Sequence, residues 1–241
     1  MPELAIGCSG FSYKHWKKVF YPADLPERKW LEYYSTVFSS VELNVTFYHL
    51  PSPAAFQSWY RDTPKGFTFA VKGSRYITHV KRLVDPAEPL KKFFEGANLL
   101  KEKMAVVLWQ FPPSFKLNHP RFSAFLDRLE RYPFRHAFEF RNESWIVSEV
   151  IDLCRDRGAA LCMADSPQFN DDLPVTADFV YLRRHGQAAS HEGSYSKGQL
   201  ARDAARIRSY LKQGKDVFIY FNNDPHGYAP ANARDLAALL A

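Results

Sequence analysis

The 241-residue chain has only three cysteines, Cys8, Cys154 and Cys162, and no pair of them has C-x-x-C spacing. This argues against a disulfide framework and predicts buried free thiols in a reducing compartment. No stretch of about 18 apolar residues occurs, so we predict no membrane-spanning segment and no membrane partner. The first residues lack a basic region followed by an apolar one, so we also expect no signal peptide and a cytoplasmic location.

Several sequence motifs that mark cofactor, metal or nucleotide sites are also missing. There is no H-E-x-x-H, no G-x-G-x-x-G and no Walker sequence, and Gly7-Cys8-Ser9-Gly10 is not the G-x-S-x-G of a serine nucleophile. We therefore predict no cofactor and no metal. Internal repeats, low-complexity tracts and linkers are absent too, which indicates one domain over residues 1–241.

Short apolar runs recur along the whole chain, separated by segments with helical periodicity. Runs of this kind are typical of parallel strands buried on both faces, and eight of them in a chain of this length fit a single (β/α)8 TIM-like barrel. The predicted strands cover residues 4–8, 41–44, 67–72, 105–110, 136–141, 159–165, 179–184 and 217–223. The predicted helices cover residues 26–38, 53–61, 87–102, 119–131, 146–157, 197–213 and 229–240.

One unit of this pattern is irregular. Residues 166–177, between the sixth and seventh strands, are rich in Pro, Asp and Asn and have no helical periodicity. We therefore predict that this crossover is reduced to a loop. The helix starts are better marked: Ser196 with Gln199 and Asp85 with Glu88 have the spacing of capping boxes.

Most of the predicted strands end in a polar or charged residue. The carboxyl ends of barrel strands meet at one rim, and side chains two apart on a strand share a face, so these residues should converge on one pocket. The predicted rim residues are Tyr13, Glu42, Asn44, Tyr48, Lys72, Arg75, Gln110, Glu139, Arg141, Trp145, Asp165, Arg183, His185, Asn222, Asn223 and Asp224.

The carboxylates of this set are the candidate catalytic residues. Glu42 and Glu139 would be an acid/base pair whose pKa values are separated by unequal neighbours, and Asp165 would orient the substrate or a partner side chain. The clamp for an anionic group would be Lys72, Arg141 and Arg183, and the walls would be Tyr13, Tyr48 and Trp145. The remaining rim residues are predicted ligand contacts, and the loops after the seventh and eighth strands are a common phosphate position in barrels.

A structural interpretation of the same residues stays open. Ion pairs such as Glu139–Arg183 could simply close the rim, and the aromatic side chains could pack the loops. Carboxylates and His185 could also hold a divalent ion, but the three cations at the same rim would repel one. For this reason a metal is not predicted.

These segments resemble the YecE-like family, also called domain of unknown function 72. The resemblance is carried by Ile6-Gly7-Cys8-Ser9-Gly10-Phe11-Ser12-Tyr13, Val41-Glu42-Leu43-Asn44-Val45-Thr46-Phe47-Tyr48, Phe138-Glu139-Phe140-Arg141, Tyr181-Leu182-Arg183 and Tyr220-Phe221-Asn222-Asn223-Asp224. It extends over nearly the whole chain and implies a barrel, with no established activity. The implied fold is similar to that of apurinic-site endonucleases and sugar isomerases.

Three functional hypotheses follow from the sequence. The first is an enzyme that acts on a small polar, anionic molecule resembling a phosphate, sugar or nucleotide, as a hydrolase, lyase or isomerase. The second is a nucleic-acid-binding protein or endonuclease-like hydrolase, which the net charge of +6 and the loop aromatics favour. The third is a non-catalytic binding protein. The sequence predicts no oligomeric state.

Overall fold

The computed structural model describes residues 2–165, 171–186 and 193–241, and it confirms the predicted β/α barrel. The strands found there are β1 (Leu4–Cys8), β2 (Ser40–Leu43), β3 (Thr68–Lys72), β4 (Met104–Phe111), β5 (Arg135–Phe140), β6 (Ala160–Ala164), β7 (Phe179–Arg184) and β8 (Asp216–Phe221). They form one sheet in the order β1-β8-β7-β6-β5-β4-β3-β2, in which all paired strands are parallel. Each predicted strand is present: β1 and β7 have the predicted bounds, and the ends of the others differ by at most two residues.

Helices cover the outside of the sheet. They are α1 (Trp30–Tyr34), α2 (Val45–Tyr48), α3 (Pro53–Arg61), α4 (Ala87–Ala97), α5 (His119–Leu129), α6 (Ser148–Asp156), α7 (Lys197–Lys212) and α8 (Tyr228–Leu240). In the part of the chain that the structure describes, no helix has the length and hydropathy of a membrane-spanning helix.

Three details of the helices differ from the prediction. The first predicted helix, 26–38, is a 3-10 turn (Glu27–Lys29) followed by the short α1. Helix α4 stops at Ala97 because a 3-10 segment follows, in which Lys101 has a φ of 51°. Ser196 and Gln199 form the predicted capping box of α7, but Asp85 does not cap α4.

The barrel interior is packed with side chains below its carboxyl-terminal rim. The rings of Phe179, Tyr181, Phe218 and Tyr220 from β7 and β8 lie among small or aliphatic side chains of the other strands. At the amino-terminal end, Arg135 forms an ion pair with Asp216 and lies over the rings of Phe179 and Phe218. This end of the barrel is therefore filled, and the carboxyl-terminal rim is the end at which a site can form.

A tyrosine side chain joins the two ends of the sheet, β1 and β2. The Tyr34 hydroxyl accepts the Cys8 backbone N–H at 2.7 Å and donates to the Ser40 carbonyl at 3.0 Å. A Cβ atom on Gly7 would lie 2.1 Å from the Ser40 oxygen, so only glycine permits this approach. Tyr34 thus links β1 to β2, and a single parallel bridge between Ser9 and Glu42 adds direct backbone pairing next to it.

The crossover between β6 and β7 is anchored by ion pairs. Residues 166–170 of the predicted loop lie outside the described residues, and residues 171–177 form neither helix nor strand. Arg184 donates to Asp171 at 2.9 Å and, through two nitrogens, to Asp203 on α7 at 2.8 and 2.6 Å. These bonds attach the crossover to both β7 and α7.

Candidate functional site

Five polar side chains from five strands form a layer inside the barrel, one step above its apolar filling. We call this the charged layer, and its members are Glu42, Lys72, Gln110, Glu139 and Arg183. All five are buried, and Glu42 is fully enclosed, at 0% exposure. Successive side chains of a strand point to opposite faces, and all five of these lie on the inner face of the barrel. Charges enclosed in this way need partners, because desolvation of an isolated charge is costly.

Arg183 connects the two glutamates of the charged layer. Its Nε and Nη2 donate to the two carboxylate oxygens of Glu42 at 3.0 and 2.9 Å. Its Nη1 donates to Glu139 Oε2 at 2.7 Å. The paired N–H bonds to Glu42 have the fork geometry in which a guanidinium binds a carboxylate most strongly.

Further side chains donate hydrogen bonds to both carboxylates. Tyr181 OH donates to Glu42 at 2.6 Å, and Glu139 Oε1 accepts from Gln110 Nε2 at 2.9 Å and from Arg141 Nε at 2.7 Å. Sequence reasoning did not select Tyr181. Its position two residues before Arg183 on β7 was the available signal, because it places both side chains on one face.

The pKa values of both glutamates are lowered. Burial by itself would raise the pKa of Glu42, but Arg183, Lys72 and the Tyr181 hydrogen bond bring it below the ordinary value. Burial acts the same way on Glu139, and Arg141 and Arg183 hold its pKa well below the usual range. Both groups are thus ionised. Neither carboxylate has the raised pKa that the acid of the predicted acid/base pair would need, and both form ion pairs with Arg183.

Lys72 differs from the other charges of the layer. Its Nζ lies 4.2 Å from the centroid of the Phe47 ring, and within the described ranges it has no hydrogen-bond acceptor and no carboxylate within 4 Å. The residue is 7% exposed. Burial and, to a smaller extent, the nearby Arg183 lower the pKa of Lys72 to about 7, against the opposing effect of the two glutamates.

A second buried lysine, Lys103, differs from Lys72 in its hydrogen bonds. Lys103 Nζ also lies over an aromatic ring, that of Tyr60, at 4.6 Å. Its donors are used, however, because Nζ bonds to the Tyr60 carbonyl at 2.6 Å and to the Thr63 carbonyl and hydroxyl at 2.7 and 2.9 Å. Lys103 is therefore a structural lysine, whereas Lys72 presents an amine whose bonds are not used.

Four buried oxygen atoms that follow the ends of β1, β2 and β8 have no hydrogen bond to any described residue. One is Asn223 Oδ1, and the other three, which we call the mouth acceptors, are Ser9 Oγ, Asn44 Oδ1 and Asp224 Oδ1. Burial raises the pKa of Asp224 to about 7, although the neighbouring Tyr13 hydroxyl and Arg183 oppose the shift. Tyr13 OH itself donates to the Ser9 carbonyl at 2.6 Å. Buried acceptors left in this state usually await water or a ligand.

Asp165 holds a loop. One of its oxygens accepts the His185 backbone N–H at 2.6 Å, and the other accepts from Tyr195 OH. Burial raises the pKa of Asp165 to about 6, against the opposing charge of Arg184. The predicted catalytic carboxylate thus fixes the start of the loop after β7. His185 is nearer to the charged layer, with Nε2 3.5 Å from Arg183 Nη1 and Nδ1 3.0 Å from Asn222 Nδ2.

Trp145 and Asn223 lie outside the pocket that the sequence predicts for them. Trp145 is 0% exposed, stacks on Phe140 at 5.0 Å and donates to the Phe115 carbonyl at 2.6 Å, so it belongs to the core. Asn223 Nδ2 donates to Asn232 at 2.9 Å, and its carbonyl accepts the Ala229 N–H at the start of α8. That N–H is therefore used, and the Asp224 carboxylate beside it disfavours the phosphate position expected there.

Tyr48 and Arg75 are on the outer side of the rim. Tyr48 is 66% exposed and, with Tyr76 and Lys92, lines a groove of about 510 Å³ between α2 and α4. Arg75 is exposed at the start of the turn Tyr76–Val80. Neither side chain contacts the charged layer. In the described ranges, no group of three or more His, Cys, Asp and Glu side chains is placed to hold a metal ion.

Comparisons with known proteins agree with the family expected from the sequence. A family model described as "Protein of unknown function DUF72" matches residues 5–241. The UPF0759 protein YunF of Bacillus subtilis (strain 168) is 26% identical over 253 residues, which cover 91% of this chain and 89% of that protein. The crystal structure of a DUF72 family protein from Thermotoga maritima MSB8 matches with a TM-score of 0.88 and 32% identity, over 99% of both chains.

One structure from outside this group has a related fold. The crystal structure of D-psicose 3-epimerase in the presence of D-fructose matches with a TM-score of 0.55 over 99% of this chain and 97% of that one. At 10% identity, this likeness concerns the barrel architecture alone.

Proposed function

The chain belongs to the DUF72 family of proteins of unknown function, and from the chemistry of its own site we propose that it is an enzyme acting on a small polar, anionic molecule. The substrate binds at the carboxyl-terminal rim, against the charged layer, and a proton is transferred at Lys72 Nζ. Glu42 and Glu139 position the cations and do not themselves act as acid and base. This proposal rests mainly on one observation: Lys72 is only 7% exposed, and its amine forms no hydrogen bond or ion pair with a described residue.

The charge balance of the layer supports an anionic substrate. Among the described residues, Glu42 and Glu139 both form ion pairs with Arg183, and Glu139 also pairs with Arg141, and neither carboxylate lies within 4 Å of Lys72. When Lys72 is protonated, its charge therefore lies in a poorly solvated place without an adjacent ion-pair partner. An anionic group on the substrate would supply the counter-charge and gain from the low local dielectric.

The mouth acceptors support a substrate that also carries hydroxyl groups. Ser9, Asn44 and Asp224 each present an oxygen that accepts no hydrogen bond from a described residue. Hydroxyl groups can donate to such oxygens and remove the cost of leaving them unpaired. A lysine with a pKa of about 7 is also suited to exchange a proton at neutral pH.

Unfolding temperatures measured with candidate ligands test the proposal. Dihydroxyacetone phosphate, pyruvate and uncharged dihydroxyacetone form a suitable first panel. A ligand at 100 times its Kd stabilises a protein by about 2.7 kcal/mol, which raises Tm by about 5–10 °C in a chain of this size. We expect such a rise with an anionic compound, its loss in Lys72→Met, and its retention in Lys91→Met, which removes an exposed lysine of α4.

Proton NMR in D2O then tests for chemistry. Loss of a C–H signal of the stabilising compound, in wild type but not in Lys72→Met, is the expected result. If no anionic compound stabilises the protein, or if Lys72→Met responds as wild type does, the proposal is wrong.

A second candidate function rests on the groove beside the rim. Tyr48 and Tyr76 are 66% and 51% exposed, and Lys92 and Arg75 lie close by. Exposed aromatic rings next to cations are typical of single-stranded nucleic acid sites. Binding of an oligonucleotide that weakens steeply with salt and is lost in the Tyr48→Ala, Tyr76→Ala double variant would favour this function over the first.

A further inference from the structure

The side chain of Lys72 has the surroundings of a nucleophilic amine, a role distinct from charge pairing. Nζ lies over the face of Phe47, 4.2 Å from the ring centroid, and has no hydrogen bond to a described residue. Arg183 and Arg141, both fixed by Glu139, are the neighbouring cations. Removal from water and nearby positive charge both favour the neutral amine, whose lone pair is the reactive form.

We propose that Lys72 forms an imine with the substrate, so that the substrate of this site is a carbonyl compound. This inference rests on the proposed function and specifies its chemistry. The lone pair of Nζ forms a bond to the carbonyl carbon, and the π electrons of the C=O bond move to its oxygen, which takes up a proton. The resulting carbinolamine loses water, so that the two hydrogens of the amine and the carbonyl oxygen leave together and a C=N bond remains. No oxidant or reductant is required.

The surroundings of Lys72 also suit the iminium ion that follows imine formation. Protonation of the imine gives an iminium ion, which restores the positive charge at this point of the layer. Glu42 and Glu139 already place negative charge near Lys72, and an anionic group of the substrate adds to it. The iminium ion withdraws electrons from the adjacent C–H bond, so that solvent water can take up this proton and, in D2O, return a deuteron.

The lack of partners makes the amine available without breaking any bond. Lys103 would have to give up three hydrogen bonds before its lone pair could react. Lys72 has none to give up within the described chain, and its 7% exposure leaves an approach for a small molecule. The two lysines therefore form a matched pair inside one molecule: both are buried and both lie over a ring, but only one is poised to react.

Reductive labelling of the intact wild-type protein tests the nucleophile directly. Formaldehyde is the smallest carbonyl compound, and borohydride or cyanoborohydride reduces the imine that it forms. After a short exposure at neutral pH and digestion, mass spectrometry compares the peptides that contain Lys72 and Lys103. We expect methylation of Lys72 to be at least tenfold faster. Equal or slower labelling of Lys72 overturns the proposal.

Trapping with larger probes tests the substrate class. Borohydride is added to the protein with dihydroxyacetone phosphate, pyruvate or dihydroxyacetone, and we expect a reduced adduct on Lys72 and none on Lys103. Lys72→Arg keeps the positive charge but cannot form the imine, so it should lose the adduct and still gain thermal stability from the anionic probe.

The outcomes separate the two proposals. Stabilisation by an anionic probe that depends on Lys72, with no adduct from any of the three compounds, overturns the imine and leaves the proposed function standing. Absence of both stabilisation and adduct overturns both. An adduct on Lys72 from the charged probe that exceeds the one from uncharged dihydroxyacetone supports both.

Discussion

The charge of Lys72 should make the stability of this protein depend on pH in a characteristic way. Its pKa is about 7 in the folded chain, compared with an ordinary value of 10.5. Between these two values the unfolded chain binds a proton that the folded chain does not. The free energy of unfolding must therefore rise with pH across this interval. Below about pH 7 both states hold the proton, and the full cost of burying the charge is present.

The size of the effect follows from the same two values. The interval between 10.5 and about 7 corresponds to about 5 kcal/mol at 1.36 kcal/mol for each pKa unit. Most of the rise lies at alkaline pH, and the part between pH 7 and pH 9 amounts to about 2 kcal/mol. Lys72→Met retains a long apolar side chain over Phe47 and has no proton to exchange, so it lacks this contribution.

Urea unfolding of wild type and Lys72→Met at several pH values between 6 and 9 measures the effect. The quantity of interest is the difference between the two proteins, because the tyrosines, cysteines and Asp224 are common to both and largely cancel. We expect wild type to gain about 2 kcal/mol on the variant between pH 7 and pH 9. The exposed variant Lys91→Met controls for the loss of one positive charge. A difference that stays constant with pH would refute the reasoning.

Three further substitutions test the architecture around the site. Arg183→Met leaves two buried carboxylates without their shared cation and should lower the free energy of unfolding by about 3–5 kcal/mol in urea; a loss below 1 kcal/mol would contradict the pairing. Tyr34→Phe removes the hydroxyl between β1 and β2 and should cost about 1–3 kcal/mol, with faster hydrogen exchange at the Cys8 amide; unchanged exchange would argue against this bridge. Arg184→Met frees the crossover between β6 and β7 and should speed proteolysis near Asp171, whereas wild-type cleavage rates would show that the ion pairs do not hold it.

The barrel was predictable because its signals are local and repeat eight times. Residues 179–182 and 217–221 are continuous apolar runs, as is typical of strands buried on both faces. Ser196 with Gln199 marks the start of α7 within four residues. The link between β1 and β2 through Tyr34 was not predictable. It depends on the hydroxyl group of a residue in a helix, and hydrophobic periodicity does not reveal such a contact.

The site was only partly predictable, for a related reason. Alternation along a strand indicates that Glu42, Glu139 and Arg183 face inward, and the structure brings them together. It does not indicate which charge is left without a partner. Two glutamates and three cations admit several pairings, and only their positions in space make Arg183 the shared partner and Lys72 the unbonded one.

Trp145 was predicted to line the pocket, but it lies in the core. A tryptophan directly after a strand is equally suited to a pocket wall and to a core. Here the Trp145 ring stacks on Phe140 in the core. Sequence position alone cannot distinguish these two environments, because they differ in what lies on the far side of the ring.

The filled lower half of the barrel has a consequence for turnover. Phe179, Phe218 and the Arg135–Asp216 pair leave no passage through that end in the described chain. In the proposed enzyme, a reactant would therefore arrive, and the product depart, by the same opening. A bound product would occupy the opening that the next reactant needs, so we expect the product to inhibit competitively, with no complex that holds product and reactant together.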